Sequence, residues 1–327
     1  MISSLALAKL CGVSQGTVDR ALHDRPGISA ATRERILAAA RQHGYLPNPA
    51  VREMLGLAAS TTVGAVVPAW SLRAPFFMEL LSGIAERIAA DGLRLSLHLA
   101  DADPAGFAAA CTEVAARRPR GLAVVLPPSG LELPASVVRS QKVISLLLPC
   151  ATPGVINLLP DEQAIGAAAT GHLLALGHRR IVHLPGPAPG HWATRERLAG
   201  YQRAMANAHL EQLVVHGAVE DDVVLDQLRG AGATAAFCHS DPMALALIRR
   251  LRAAGVRVPE DLSVMGVDRS PLVAAFAPDL ASIAFPFAAL AAQMAATLMD
   301  RPLPPLPTPL VVTGATAAGP PPAAGTR

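Results

Sequence analysis

From residue 61 onward, short runs of Val, Leu, Ile and Ala alternate with longer stretches whose apolar residues recur every three or four positions. The first kind reads as buried strand and the second as helix packed on one face. Strands are predicted over 62–68, 94–100, 121–126 and 143–148, with helices over 76–90 and 105–117 between them. A second series places helices over 161–176, 194–206, 219–228 and 242–254 around strands over 180–184, 211–216, 235–239 and 263–267. Parallel strands need long crossovers, so this alternation implies two parallel sheets covered by helices, one for each of two lobes. Ligands of such sheets sit at the carboxyl ends of the strands, and two facing lobes can close on one.

The first 48 residues carry three short helical patterns and no strand. Residues 5–11 form the first, with Ser3 or Ser4 as its N-cap. Gly12 supplies a turn that needs positive φ, and Ser14 caps a second helix over 15–22. Ala8, Gly12, Val13 and Val18 stand where a helix-turn-helix needs a close approach, a turn and a wedge. After Pro26-Gly27, Ser29 caps a third helix over 32–43, with Ile36, Leu37, Ala40 and the following Tyr45 facing inward.

Charge separates these parts. Residues 1–59 hold seven basic side chains (Lys9, Arg20, Arg25, Arg33, Arg35, Arg41, Arg52) against four acidic ones (Asp19, Asp24, Glu34, Glu53). Of the chain's 28 basic and 25 acidic residues, that leaves 21 of each elsewhere, so the whole net charge of +3 lies in the head. A basic head on a neutral body suits a polyanionic partner, although so small a surplus also arises by chance. Half the residues are apolar and 16% are charged, enough to bury a sizeable core. Cys11, Cys111, Cys150 and Cys238 form no metal-binding or disulfide pattern and read as free thiols of a reducing cytoplasm. No apolar run is long enough for a membrane span, and the apolar start, interrupted by Lys9, reads as mature protein.

Three blocks carry a resemblance: GVSQGTVDRAL (12–22), ISAATRERILAAA (28–40) and GYLPN (44–48). In this order and spacing they are similar to the LacI/GalR family of bacterial regulators. Shorter matches continue it to about residue 312: APFFMEL (74–80), LGHRRI (176–181), RLAGY (197–201), SDPMA (240–244) and GVD (266–268). The resemblance implies a helix-turn-helix head over 1–48, a hinge helix or linker over 49–60, and a two-lobed core over 61–312 like a periplasmic binding protein of type I. A disordered tail over 313–327 is expected from its Gly, Ala and Pro content.

Gln15 and Gly16 would then occupy the base-reading positions in the first turn of the second helix, the one at Gly16 left blank for want of a side chain, with Arg20 on a guanine edge or a phosphate. Ser14, Thr17 and the helix N-terminus suit phosphate, and Tyr45 and Asn48 border the same surface. Asp19 stands where the family has Ser; it either pairs with a neighbouring Arg or accepts from a cytosine amine. The family's minor-groove leucine falls on Met54, with Leu55 beside it, unless the segment is an ordinary linker.

For a small-molecule effector the resemblance implicates Arg197, whose guanidinium can clamp hydroxyls or a carboxylate, together with Asp268 and Ser240. Asp241 is either a ligand contact or a helix cap, and Phe76, Phe77 and Phe287 are either cleft walls or core. Trp70 and Trp192 lie near predicted strand ends, whereas His183, His191 and His239 read first as solvated or structural rather than ligating. Leu148-Pro-Cys150 stands where the family often has a hydroxyl-binding acid, which leaves nucleosides, polyols and sugar acids open beside sugars. The expectation is a cytoplasmic homodimeric repressor that binds double-stranded operator DNA, with a sugar-like effector, no cofactor, no metal and no membrane partner. A transporter's solute-binding protein is the alternative. An enzyme would need a catalytic constellation, and the sequence shows no GxSxG, HExxH or phosphate loop.

Overall fold

The computed structural model describes residues 2–45, 60–186 and 191–320. The chain divides into two compact units, residues 1–60 and 61–327.

The amino-terminal unit holds α1 (Ser4–Leu10), α2 (Gln15–Leu22) and α3 (Ala30–Gln42). Each begins with a serine whose hydroxyl accepts a backbone N–H of the first turn: Ser3 from Ala6, Ser14 from Thr17 and Ser29 from Thr32. Gly12, at φ +61°, turns the chain between α1 and α2. Leu7, Ala8, Val18, Ala21, Ile36 and Ala40 form the small core that fixes the three helices. Hydrophobic burial is thus satisfied from one face of each helix.

The second unit contains both lobes. In the first, β1 (Thr62–Pro68), β2 (Arg94–Ala100), β3 (Gly121–Val125), β4 (Lys142–Leu146) and β5 (Ile156–Leu158) pair in parallel in the order β2-β1-β3-β4-β5. A 3-10 turn (Ala69–Arg73) follows β1, and α4 (Pro75–Ala89), α5 (Pro104–Ala116) and α6 (Ala135–Ser140) complete this series. In the second, β6 (Ile181–Leu184), β7 (Leu213–Val214), β8 (Ala235–Cys238), β9 (Ser263–Asp268), β10 (Ala281–Ala284) and β11 (Leu310–Val312) have the order β11-β10-β9-β8-β6-β7. Around them lie α7 (Glu162–Ala175), α8 (Trp192–Asn207), α9 (Asp222–Gly230), α10 (Asp241–Ala253) and α11 (Pro271–Phe276).

Three features depart from the sequence reading. The second sheet is mixed, because β11 runs antiparallel to β10. α12 (Phe287–Leu298) returns to the first lobe, packs on α4, and receives the Lys142 ammonium at the Thr297 carbonyl (3.0 Å). The expected disorder from Thr313 also fails for residues 313–320. Thr316 Oγ1 accepts from the Ala281 amide at 3.0 Å and donates to the Val264 carbonyl at 2.8 Å. The Ser263 hydroxyl meets the Ala318 carbonyl at 3.0 Å. Backbone groups at the sheet's end are satisfied by this segment, which composition alone could not reveal.

Candidate functional site

In the head, Ser14, Gln15, Gly16 and Arg20 are exposed at α2 and Thr17 is half-buried. The Ser14 and Thr17 hydroxyls share a 2.9 Å hydrogen bond. Gln15 Nε2 donates to Ser4 Oγ at 2.6 Å, which fixes the carboxamide while leaving its oxygen free to accept. Asp19 pairs with His23 Nδ1 at 3.0 Å and with Arg25 at 3.2 Å, so of its two expected roles the structure shows the pairing one. Arg33 pairs with Asp24, whereas no ion pair among the described residues engages Arg20. Tyr45 packs half-buried against the head's core. Asn48, Met54, Leu55 and the expected hinge lie outside the described residues.

In the second unit a cavity of about 570 Å³ opens at the carboxyl ends of strands from both lobes. Strand order reverses at β1/β3 in one sheet and at β6/β8 in the other, and a crevice is expected where the connections diverge. Its size suits a small organic ligand. Trp70 from the 3-10 turn, and His191, Trp192, Thr194 and Arg195 from the start of α8, line it together with His239 beyond β8. Prolines after the strands make up much of the remaining wall.

None of the effector residues expected from sequence is in the described lining of this cavity. Arg197 is buried in an ion pair with buried Glu162: Nε donates to Glu162 Oε2 at 2.8 Å, Nη2 reaches the same oxygen, and Nη1 donates to the His239 carbonyl. Burial pushes the Glu162 carboxyl up, and the guanidinium opposes that shift. The guanidinium expected to clamp a ligand is therefore already engaged. Ser240 caps α10 by accepting from the Met243 amide. Asp241, expected as cap or ligand contact, is a fully buried strut: it accepts from the Arg269 amide at 2.7 Å and from Ser282 Oγ at 2.6 Å. Burial lifts its carboxyl to about 6. Asp268 ends β9 at φ 117°, a conformation an L-residue rarely adopts, and burial holds its carboxyl well above the usual range. Phe76, Phe77 and Phe287 do come together, with Phe285, at ring separations of 4.7 to 5.1 Å. Phe77 is core, and Trp70 meets it edge-on at 5.5 Å.

Glu162 escaped the sequence reading because an acid in a helix's first turn ordinarily faces solvent. The cause of its burial is the α7–α8 crossing. A Cβ at Gly166 would collide with the Arg197 backbone, and one at Gly200 with that of Gln163. Two glycines let the helices touch backbone to backbone, which brings Arg197 onto Glu162. His183, read as structural, is buried between Phe237 (4.5 Å) and Tyr201 (5.3 Å), and its Nδ1 lies 3.0 Å from the Phe237 carbonyl. Burial lowers it to about 3.

Among the described residues no helix is long and apolar enough to cross a membrane, and no cluster of side chains is arranged to hold a metal ion. Residues 7–48 match the bacterial regulatory proteins of the lacI family, and residues 170–316 match a periplasmic binding protein-like domain. The HTH-type transcriptional regulator MalR of Streptomyces coelicolor is 30% identical over 343 aligned positions, 96% of each chain. A solved complex of the transcriptional regulator CelR with cellobiose is 27% identical and superposes with a TM-score of 0.68 over 97% of this chain and 100% of that one. The lac repressor dimer bound to operator and the anti-inducer ONPF shares the fold at a TM-score of 0.80 over 97% of this chain and 99% of that one, with 22% identity. Head, core and full-length similarity agree, and the chain belongs to the lacI family of bacterial regulatory proteins.

Proposed function

We propose that this regulator acts as a repressor: a homodimer reads a near-palindromic operator through two heads, and a small molecule in the cleft changes its grip. The observation that carries this reading is the pairing, on one chain, of an exposed α2 start with a separate unit holding a ligand-sized cleft. A transporter's solute-binding protein has no use for the first.

In this reading Gln15 reads a base edge, Gly16 lets the backbone come close, and Arg20 contacts a guanine or a phosphate. Ser14, Thr17, Tyr45 and Asn48 hold the sugar-phosphate backbone, and Met54 or Leu55 wedges the minor groove. The head spans 1–48, the hinge 49–60 and the core 61–312. Phe76, Phe77, Arg197, Ser240, Asp241, Asp268 and Phe287 act around the ligand by shaping the cleft, and the residues lining it make the contacts. CelR binds cellobiose, which supports a carbohydrate or related metabolite as effector. The chain works by binding rather than by catalysis. Its four buried free thiols suit the reducing cytoplasm.

Fluorescence anisotropy with an operator obtained by selection tests the reading. Gln15→Ala should weaken cognate DNA by about tenfold, as expected for loss of one base contact worth 1–3 kcal/mol, and random DNA far less. Equal loss on both DNAs would demote Gln15 to a phosphate contact. No binding by the parent chain would sink the proposal.

A further inference from the structure

We infer that the cleft takes a monocarboxylic acid built on a ring with apolar faces, and not a neutral sugar. The inference rests on the regulator reading above and specifies the effector of the same site.

The wall chemistry carries it. Among the described residues lining the cavity there is no Asp, Glu, Asn or Gln. Neutral sugars need such planar groups, because each hydroxyl taken from water must be given both a donor and an acceptor. Five of the lining residues are prolines: Pro68, Pro127, Pro128, Pro149 and Pro185. Proline has no N–H, so the backbone there offers few donors either. Trp70 and Trp192 add indole surface, and Trp70 is half exposed, leaving a broad apolar area for a ring to cover.

Most of the polar side chains, His191, Thr194, Arg195 and His239, come from the second lobe, with Ser129 facing from the first. Arg195 is the one charged side chain in the described lining, and it is mostly exposed, with only a 4.0 Å contact to Glu196. Beside it, the amino end of α8, a helix of 16 residues, begins without a side-chain cap, because His191 makes no capping hydrogen bond. Its first N–H groups and dipole favour negative charge. His239 lines the same cavity on this side, through atoms other than its buried Nδ1. A carboxylate next to Arg195 can accept from the guanidinium and from the helix N–H groups while its ring lies against the indoles. A cationic ligand would meet Arg195 with nothing in the described lining to offset the repulsion.

The chain's two tryptophans both line the cavity, so intrinsic fluorescence of the full chain reports occupancy directly. Three panels separate the possibilities: uronic acids (glucuronate, galacturonate), aromatic acids (benzoate, 4-hydroxybenzoate, indole-3-acetate), and neutral compounds (glucose, cellobiose, inositol). The expected result is a saturable emission change with at least one acid. Which acid panel responds tells whether the ring is a sugar or an arene. Affinity should fall about tenfold or more for the matching methyl ester and for Arg195→Gln, the usual cost of losing a charged hydrogen bond. Arg195 is exposed, so unchanged circular dichroism should accompany that loss. Saturation by a neutral sugar alone, equal affinity for ester and acid, or no response to either acid panel would overturn the inference. A neutral sugar that also released operator DNA would overturn it while leaving the regulator reading intact. An acid that bound without altering operator affinity would support it and count against coupling of the cleft to DNA binding.

Discussion

At the scale of single residues the core is held by charges that face each other rather than a ligand. Glu162 and Arg197 are each almost fully withdrawn from water. Removing one partner leaves the other charged and dry, a loss of about 3–5 kcal/mol, whereas removing both is much milder. Glu162→Gln and Arg197→Met should each lower the urea midpoint strongly, and the two combined should be less damaging than either alone. Additive losses in that cycle would show that the pair is not coupled. His183 gives a pH signature. Its folded value of about 3 lies below the free imidazole's 6.5, so the unfolded chain binds the proton more readily. The stability this neutral ring confers is complete above pH 6.5 and is lost as pH falls toward 3. Asp241, lifted to about 6, works in the opposite sense between its ordinary 3.8 and 6. Comparing parent and His183→Phe therefore isolates the imidazole: the variant's melting temperature should fall less steeply between pH 6.5 and 4. Parallel curves would contradict the assignment.

At the scale of elements, the α7–α8 crossing positions Arg197. Gly200→Ala places a methyl against the backbone of Gln163, where no rotamer change can relieve it. Thermal unfolding should show a loss of about 1–3 kcal/mol, the usual range for overpacking, and an unchanged melting temperature would argue that the helices separate easily. The same crossing shows where legibility in the sequence ends. β1, β3 and β4 were readable because a strand covered on both faces is a continuous apolar run, TVGAVVP being one. The serine caps and the Gly12 turn were readable because they act within three or four residues. α12 was missed because FAALAAQMAATL is apolar nearly all round and shows no amphipathic period. Glu162 and Arg197 meet across 35 residues through two glycines, and nothing local announces that. The cavity was partly legible, in that Trp70 and Trp192 stood at predicted strand ends. His191 and His239 read as solvated or structural, and their meeting at one cavity is not legible because the segments that carry them are distant in sequence.

At the scale of the whole molecule, function needs two units with separable tasks: a basic head that reads DNA and a core that reads a small molecule. Coupling between two such sites is worth about 1–3 kcal/mol in typical cases, enough to change operator affinity by a factor of roughly five to 150. Neither task requires a reacting group, in keeping with relatives that are transcription regulators. The most direct measurement is a selection of genomic DNA fragments by the full chain, run beside the same selection by residues 61–327. The full chain should enrich a near-palindromic sequence whose two halves match the two heads of a dimer, and the shorter chain, soluble and folded, should enrich nothing. Equal enrichment by both, or none by the full chain at low salt, would mean that the head does not read DNA.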